Sequence, residues 1–236
     1  MFRSALELKN YSLRARDGEI GRLKDFYFDD VLWTIRYVVV ETGAWLKSRQ
    51  VLLAPEAFQP AEWGEQVFPV NLTKEQVRGS PAADTAQPVT RQYERQLREY
   101  YNWPVYPGAI YMLDIPPPTP PAPVNPHLFS INSVTGYHLE ATDGDIGHVA
   151  DFLFDEATWK ISFLEIDTRN WLPGRHVLLG TEWVRHLDWL NSHLEVDLSC
   201  AAINGSPAYD ANRYITQEYI TALRAHYGSS PKPGSS

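Results

Sequence analysis

The chain has 236 residues, is 44% hydrophobic and 13% aromatic, and carries a formal net charge of −8 with a pI near 5.4. That length holds one large domain or two small ones, and a surface of that sign repels phosphate backbones, which argues against a nucleic-acid partner. A single cysteine, Cys200, can make neither an internal disulfide nor a cysteine zinc site, and no run approaches the roughly 18 apolar residues of a spanning helix, so a cytoplasmic protein is expected.

In chain order, Tyr11 to Ala15 alternates and ends at Asp17-Gly18, a dipeptide suited to a tight hairpin. The run Ile20 to Asp29 follows. Its Leu23 and Phe26 are three apart, so one strand face holds both only through a bulge. Asp29-Asp30 opens a second turn. Ile35 to Val40 is apolar on both faces and predicts a central strand. Thr42 to Ser48 forms a loop carrying Trp45, and Val51–Leu53 and Val67–Leu72 complete the strands. The period then changes. Thr73 caps a short turn with Gln76 at the capping-box position, and Gly79-Ser80-Pro81 stops it. Val89, Tyr93, Leu97 and Tyr101 recur every four residues and predict an amphipathic helix capped near Thr90, its stripe laid on the barrel or on the other copy.

The same order then repeats. Shifted by 126 residues, Ser4–Tyr101 aligns with Ser130–Tyr227 without a gap, and about 35 of 98 pairs are identical. Asp17-Gly18 matches Asp143-Gly144, Trp33 and Ile35 match Trp159 and Ile161, and Gly79-Ser80-Pro81 matches Gly205-Ser206-Pro207. The bulge expected at Leu23/Phe26 recurs at Val149/Phe152, and the helical stripe recurs as Ile215, Tyr219, Leu223 and Tyr227. Between the copies, nine of the eighteen prolines fall in residues 102–126, the composition of a semi-rigid linker. The expected organisation is therefore repeat 1 over 1–101, the linker over 102–126, repeat 2 over 127–228 and a disordered tail over 229–236. Short strands at this spacing predict a small closed barrel in each copy.

The strings DGEIGRLKDFYFDD and WTIRYVVVET, then Arg49 and VLL, resemble the PRC-barrel domain, the cytoplasmic barrel of the photosynthetic reaction centre H subunit. Repeat 2, with DGDIGHVADFLFDE and WKISFLEIDT, is similar to it as well. The resemblance covers about residues 4–73 and 130–199, and the trailing helices resemble those of bacterial tandem-barrel relatives. It implies a mainly β protein: two tandem PRC-like barrels, each followed by short helices, arranged as a pseudo-dimer. It also implies a non-catalytic adaptor or assembly module that binds protein partners, as an internal pseudo-dimer or a homo-oligomer built on it. A sensor of a small ligand, an ion or pH, using the cleft between barrels or the acidic hairpins, is the alternative.

Four residues stand out as binding candidates. Trp45 and Trp171 lie in equivalent loops and suit interface anchors or barrel caps. Arg49 and Arg175 follow Glu41 and Asp167 by eight residues across those loops. This spacing predicts cross-strand ion pairs, with presentation to an anionic ligand as the alternative. The acids around each hairpin fall at turns and strand ends rather than in one converging loop, so no metal is expected, and no cofactor motif occurs. No GxSxG, P-loop or dinucleotide-binding glycine signature is present, which points away from an enzyme. All seven histidines lie at or after His127. By count, repeat 1 has 14 basic and 14 acidic side chains and repeat 2 has 6 and 14, so the net charge resides in repeat 2 and mild acid would reduce it.

Overall fold

The computed structural model describes residues 1–81, 89, 91–104, 128–168, 175–211 and 214–228. Trp171, the proposed cap at Thr90, nearly all of the proline-rich linker and the tail lie outside them. The chain is mainly β. Repeat 1 contributes strands β1 (Phe2–Ser4), β2 (Ser12–Ala15), β3 (Gly18–Asp29), β4 (Thr34–Thr42), β5 (Gln50–Leu53) and β6 (Val67–Pro69), then helices α1 (Lys74–Gly79) and α2 (Arg91–Tyr101). Repeat 2 contributes β7 (Phe129–Ser130), α3 (Ile131–Val134), β8 (His138–Ala141), β9 (Gly144–Asp155), β10 (Ile161–Asp167), β11 (His176–Gly180), β12 (Val184–Asp188) and β13 (His193–Val196), then α4 (Cys200–Asn204) and α5 (Gln217–Gly228).

Two sheets result. One has six strands in the order β5-β4-β3-β2-β6, with β7 also paired to β3; the other has seven, β11-β10-β9-β8-β13-β12, with β1 also paired to β9. The compact units do not follow the repeats residue for residue. The seven-stranded unit contains Met1–Leu8, Asp30–Ile35 and the chain from Ser130; the six-stranded unit contains Lys9–Asp29 and Arg36–Phe129. The first strand of each repeat has thus joined the long strand of the other.

In the six-stranded unit the expected elements appear in order. β2 and β3 form the hairpin ending near Asp17-Gly18, and β2 also runs parallel to β6. Thr73 accepts the Gln76 N–H while the Gln76 side chain accepts the Thr73 N–H, the predicted capping box of α1. Leu97 of α2 is buried with Tyr27, Tyr37, Val39 and Leu52, and Val89, Tyr93, Tyr101 and Trp103 pack on the same cluster. The helix therefore lays its stripe on its own sheet.

In the seven-stranded unit β8 and β9 form the equivalent hairpin and β8 runs parallel to β13. The bulge expected at Val149/Phe152 is observed, since Asp151 faces Glu165 whereas Val149 faces Ile166, leaving Ala150 unpaired. Both Val149 and Phe152 are thereby buried. Phe26 and Phe152 share one environment: each is fully buried, and each main-chain N–H bonds the carboxylate of the preceding aspartate, at 2.8 and 2.7 Å. A difference follows β11. Here β12 and β13 pair as a hairpin, whereas the matching stretch of repeat 1 forms only isolated bridges at Phe58/Val70 and Glu62/Val67 around a short 3-10 turn over Trp63–Glu65; the turn over Pro55–Ala57 is common to both repeats, matching Thr181–Trp183. Pro60, the counterpart of His186 in β12, lacks the N–H group that a ladder there needs.

Two features of this unit tie residues far apart in sequence, the first of them between equivalent positions of the two repeats. Thr34 and Lys160 form an antiparallel bridge, flanked by Ile35 N–H to the Trp159 carbonyl (2.9 Å) and Ile161 N–H to the Trp33 carbonyl (2.7 Å). Trp33 and Trp159 both turn the chain with positive φ, 51° and 59°. Strand β1 then pairs along β9 with Phe2 opposite Asp155 and Ser4 opposite Leu153, and Ala5 N–H continues to the Phe152 carbonyl at 2.9 Å.

Candidate functional site

Trp45 and Arg49 sit in the β4–β5 loop. Trp45 donates its ring N–H to the Ile20 carbonyl at 2.8 Å, and Lys74 Nζ stands 5.4 Å over its ring. Arg49 does not pair with Glu41, which instead meets Lys24 at 3.0 Å. Its guanidinium donates to the carbonyls of Arg78 (3.3 Å) and Ser80, and Arg175 donates to the Ser206 carbonyl at 2.5 Å. The last carbonyls of a helix have no intrahelical partner, and these arginines satisfy carbonyls at the ends of α1 and α4. Tyr93 and Tyr219 bond the next carbonyls, those of Pro81 and Pro207, at 3.2 and 3.1 Å. The predicted ion pairs are thus replaced by a matched pair of latches tying each short helix to its sheet. The eight-residue spacing predicts a contact between side chains, while the partner is main chain about 30 residues on.

Repeat 2 holds a buried group of acids that the sequence reading missed. Glu165 on β10 faces Asp151 on β9, and Asp167 faces both His148 and His176 across neighbouring strands. Asp151, Glu165 and Asp167 are all buried. Asp151 accepts the Leu6 N–H (3.1 Å), the Phe152 N–H (2.7 Å) and the Ser4 hydroxyl. His176 Nδ1 lies 2.6 Å from Glu165 Oε1, and His148 Nε2 lies 3.7 Å from Asp167 Oδ2. Burial, and then the Asp151 charge, raise the Glu165 pKa, with His176 opposing them. The counterparts in repeat 1 of Glu165, His176 and His148 are Val39, Gln50 and Arg22. The signal available in the sequence was a Glu standing in an apolar run. Among the described residues no three His, Cys, Asp or Glu side chains are placed to hold a metal ion.

This arrangement links the protonation of Glu165 to stability. A carboxyl whose folded pKa lies above its unfolded value binds its proton more tightly in the folded state, so stability falls as pH rises between the two values. Glu165→Gln is expected to be more stable than the parent chain at pH 8. The difference should shrink as pH falls towards 4.5, with a slope of at most about 1.4 kcal/mol per pH unit. Denaturant melts of both proteins between pH 5 and 8 check this.

The lone thiol is not a reactive group. Cys200 donates to the Gly144 carbonyl at 3.4 Å, and burial beside Asp143 pushes its pKa up to about 11.

The seven-stranded unit also carries an open cleft of about 830 Å³. The turn between β3 and β4 forms one wall, where Val31 and Leu32 are 69% and 41% exposed. Phe163, Leu187 and the residues around Glu182 form the other, and Arg224 of α5 borders it. Arg185 is held by Glu195 at 2.6 Å, whereas no described group pairs with the side chains of Lys160 or Arg224. Walls of mixed polar and apolar residues with two cations, Lys160 and Arg224, lacking a described side-chain partner suit a ligand that is apolar in part and offers oxygen acceptors.

No model of a known protein family and no curated protein matches this chain. Among the described residues no helix is long and apolar enough to cross a membrane.

Proposed function

We propose that the chain is a non-catalytic assembly module of the PRC-barrel type, cytoplasmic, with two barrels arranged as an internal pseudo-dimer and with protein partners. Support for the duplicated design comes from the matched latches at Arg49 and Arg175 and from the bridge between Thr34 and its own counterpart, Lys160. The observation that carries the partner-binding role is the exposed Val31-Leu32 tip on an open cleft, since adjacent exposed apolar side chains at a concave surface mark interaction sites. A photo-crosslinking amino acid at position 31, used in the cells that make the protein, should capture a discrete protein. Leu32→Asp in that protein should remove the adduct. Crosslinking to solvent alone, or an adduct indifferent to Leu32→Asp, contradicts the proposal.

A second reading, a pH sensor, draws on the buried carboxylates and histidines of repeat 2 and is distinguished by self-association that changes between pH 7.5 and 5.5.

A further inference from the structure

We infer that the cleft of the seven-stranded unit takes an extended segment of a partner polypeptide, with an aromatic-proline step, and holds one of its main-chain carbonyls on Arg224. This rests on the partner-binding reading above and names the chemistry of what binds.

The repeat itself supplies the argument. In the six-stranded unit Arg98, the counterpart of Arg224, is 11% exposed and fully engaged. It donates to the Pro104 carbonyl, lies 3.8 Å from Glu56 and stands 6.0 Å over the Tyr37 ring. The chain reaches it by turning out of α2 at Asn102, whose φ is +54°, with the Trp103 N–H returning to the Arg98 carbonyl at 3.0 Å. Trp103 stacks on Tyr101 with ring centroids 4.2 Å apart and packs on the core cluster. An arginine, a glutamate and an aromatic ring thus surround a Trp-Pro segment of the chain's own.

The same three residue types recur 126 positions later as Arg224, Glu182 and Phe163, and all three line the cleft. Phe163 is buried under the ring of Phe2, with centroids 5.2 Å apart, while Glu182 and Arg224 border the open part of the cleft. Arg224 is exposed, pairs with neither Glu182 nor any described carbonyl, and lines the same cleft as Lys160, whose side chain also has no described partner. A guanidinium in a partly apolar cleft gains most from a planar oxygen acceptor, and a main-chain carbonyl is what Arg98 holds. The Val31-Leu32 wall adds apolar surface for a side chain beside that carbonyl. An extended segment with a proline also binds at a lower ordering cost, because its backbone is already restricted.

The probe is the blocked peptide Ac-Tyr-Asn-Trp-Pro-Val-NH2, which copies residues 101–105, titrated to about 5 mM into the full, isotope-labelled chain and followed by amide shifts in NMR spectra. Saturable shifts are expected at Phe163, Glu182, Val184 and Leu187. Arg224→Ala should weaken binding about tenfold, as loss of a charge-assisted hydrogen bond does. Arg224 has no described side-chain partner, so the variant's spectrum should otherwise overlay the parent's, and Arg224→Lys should recover part of the affinity. Absence of shifts at the cleft, shifts elsewhere only, or affinity unchanged in Arg224→Ala overturns the inference. If the position-31 adduct forms while the peptide gives no cleft shifts, the partner-binding reading stands and this inference falls. If both fail, both fall.

Discussion

Gly147→Ala is expected to cost about 4 kcal/mol or more, enough to leave a marginally stable chain unfolded, while Gly144→Ala three residues away costs only about 1–3 kcal/mol. The two glycines have nearly the same backbone conformation, φ +145° and +143°, which an L side chain rarely adopts. They differ in the space around them. A Cβ on Gly144 would meet nothing within 4 Å, whereas one on Gly147 would lie 2.1 Å from the Asp167 carbonyl oxygen and 3.0 Å from its carbon. Both neighbours are main chain in paired strands, so neither can swing aside. Gly21 repeats the arrangement in the six-stranded unit, where a Cβ would lie 2.0 Å from the Glu41 oxygen, and Gly21→Ala should match Gly147→Ala. Denaturant midpoints for the three variants measure this directly. Equal losses for Gly144→Ala and Gly147→Ala would show that strain alone, and not the close crossing of strands, explains the glycine.

Removal of residues 1–8 should lower stability by about 4 kcal/mol or more and cause concentration-dependent self-association. The segment buries Ala5 and Leu8 completely or nearly so and sets Phe2 edge-on to Phe163, with ring centroids 5.2 Å apart. It also supplies two of the hydrogen bonds on the buried Asp151 carboxylate, from the Ser4 hydroxyl and the Leu6 N–H. A buried carboxylate that loses donors is costly, and the bared edge of β9 over Leu153–Asp155 offers an unpaired ladder to another chain. Sedimentation at several concentrations, beside thermal melts, reads both effects. A truncated chain that stays monomeric with an unchanged melting temperature would contradict the exchanged-strand arrangement.

Much of the fold was legible because its signals are local. Asp-Gly turns, the three-residue spacing of Val149 and Phe152, the Thr73/Gln76 capping box and the four-residue stripe from Val89 to Tyr101 each depend on a few neighbouring residues. The exchange of first strands was not legible. Phe2–Ser4 is three residues without a periodic signature, and its partner lies about 150 residues away. The latch role of Arg49 was hidden for another reason: main-chain carbonyls leave no trace in the identity of the residues that carry them. The acidic group around Glu165 was visible only as a mismatch against Val39, and the open state of Arg224 only by contrast with Arg98 and the proline-bearing segment that fills its surroundings.

The two copies meet in one unit at equivalent residues, and a designed disulfide tests this meeting most directly. Thr34 and Lys160 face each other as the pair between two flanking main-chain bonds, a geometry with Cα atoms about 4.5 Å apart and within disulfide range. The double variant Thr34→Cys/Lys160→Cys, made with Cys200→Ser, should oxidise in mild conditions to a monomer with no free thiol. Two persistent thiols in the folded double variant, or crosslinking only between chains, would contradict the account.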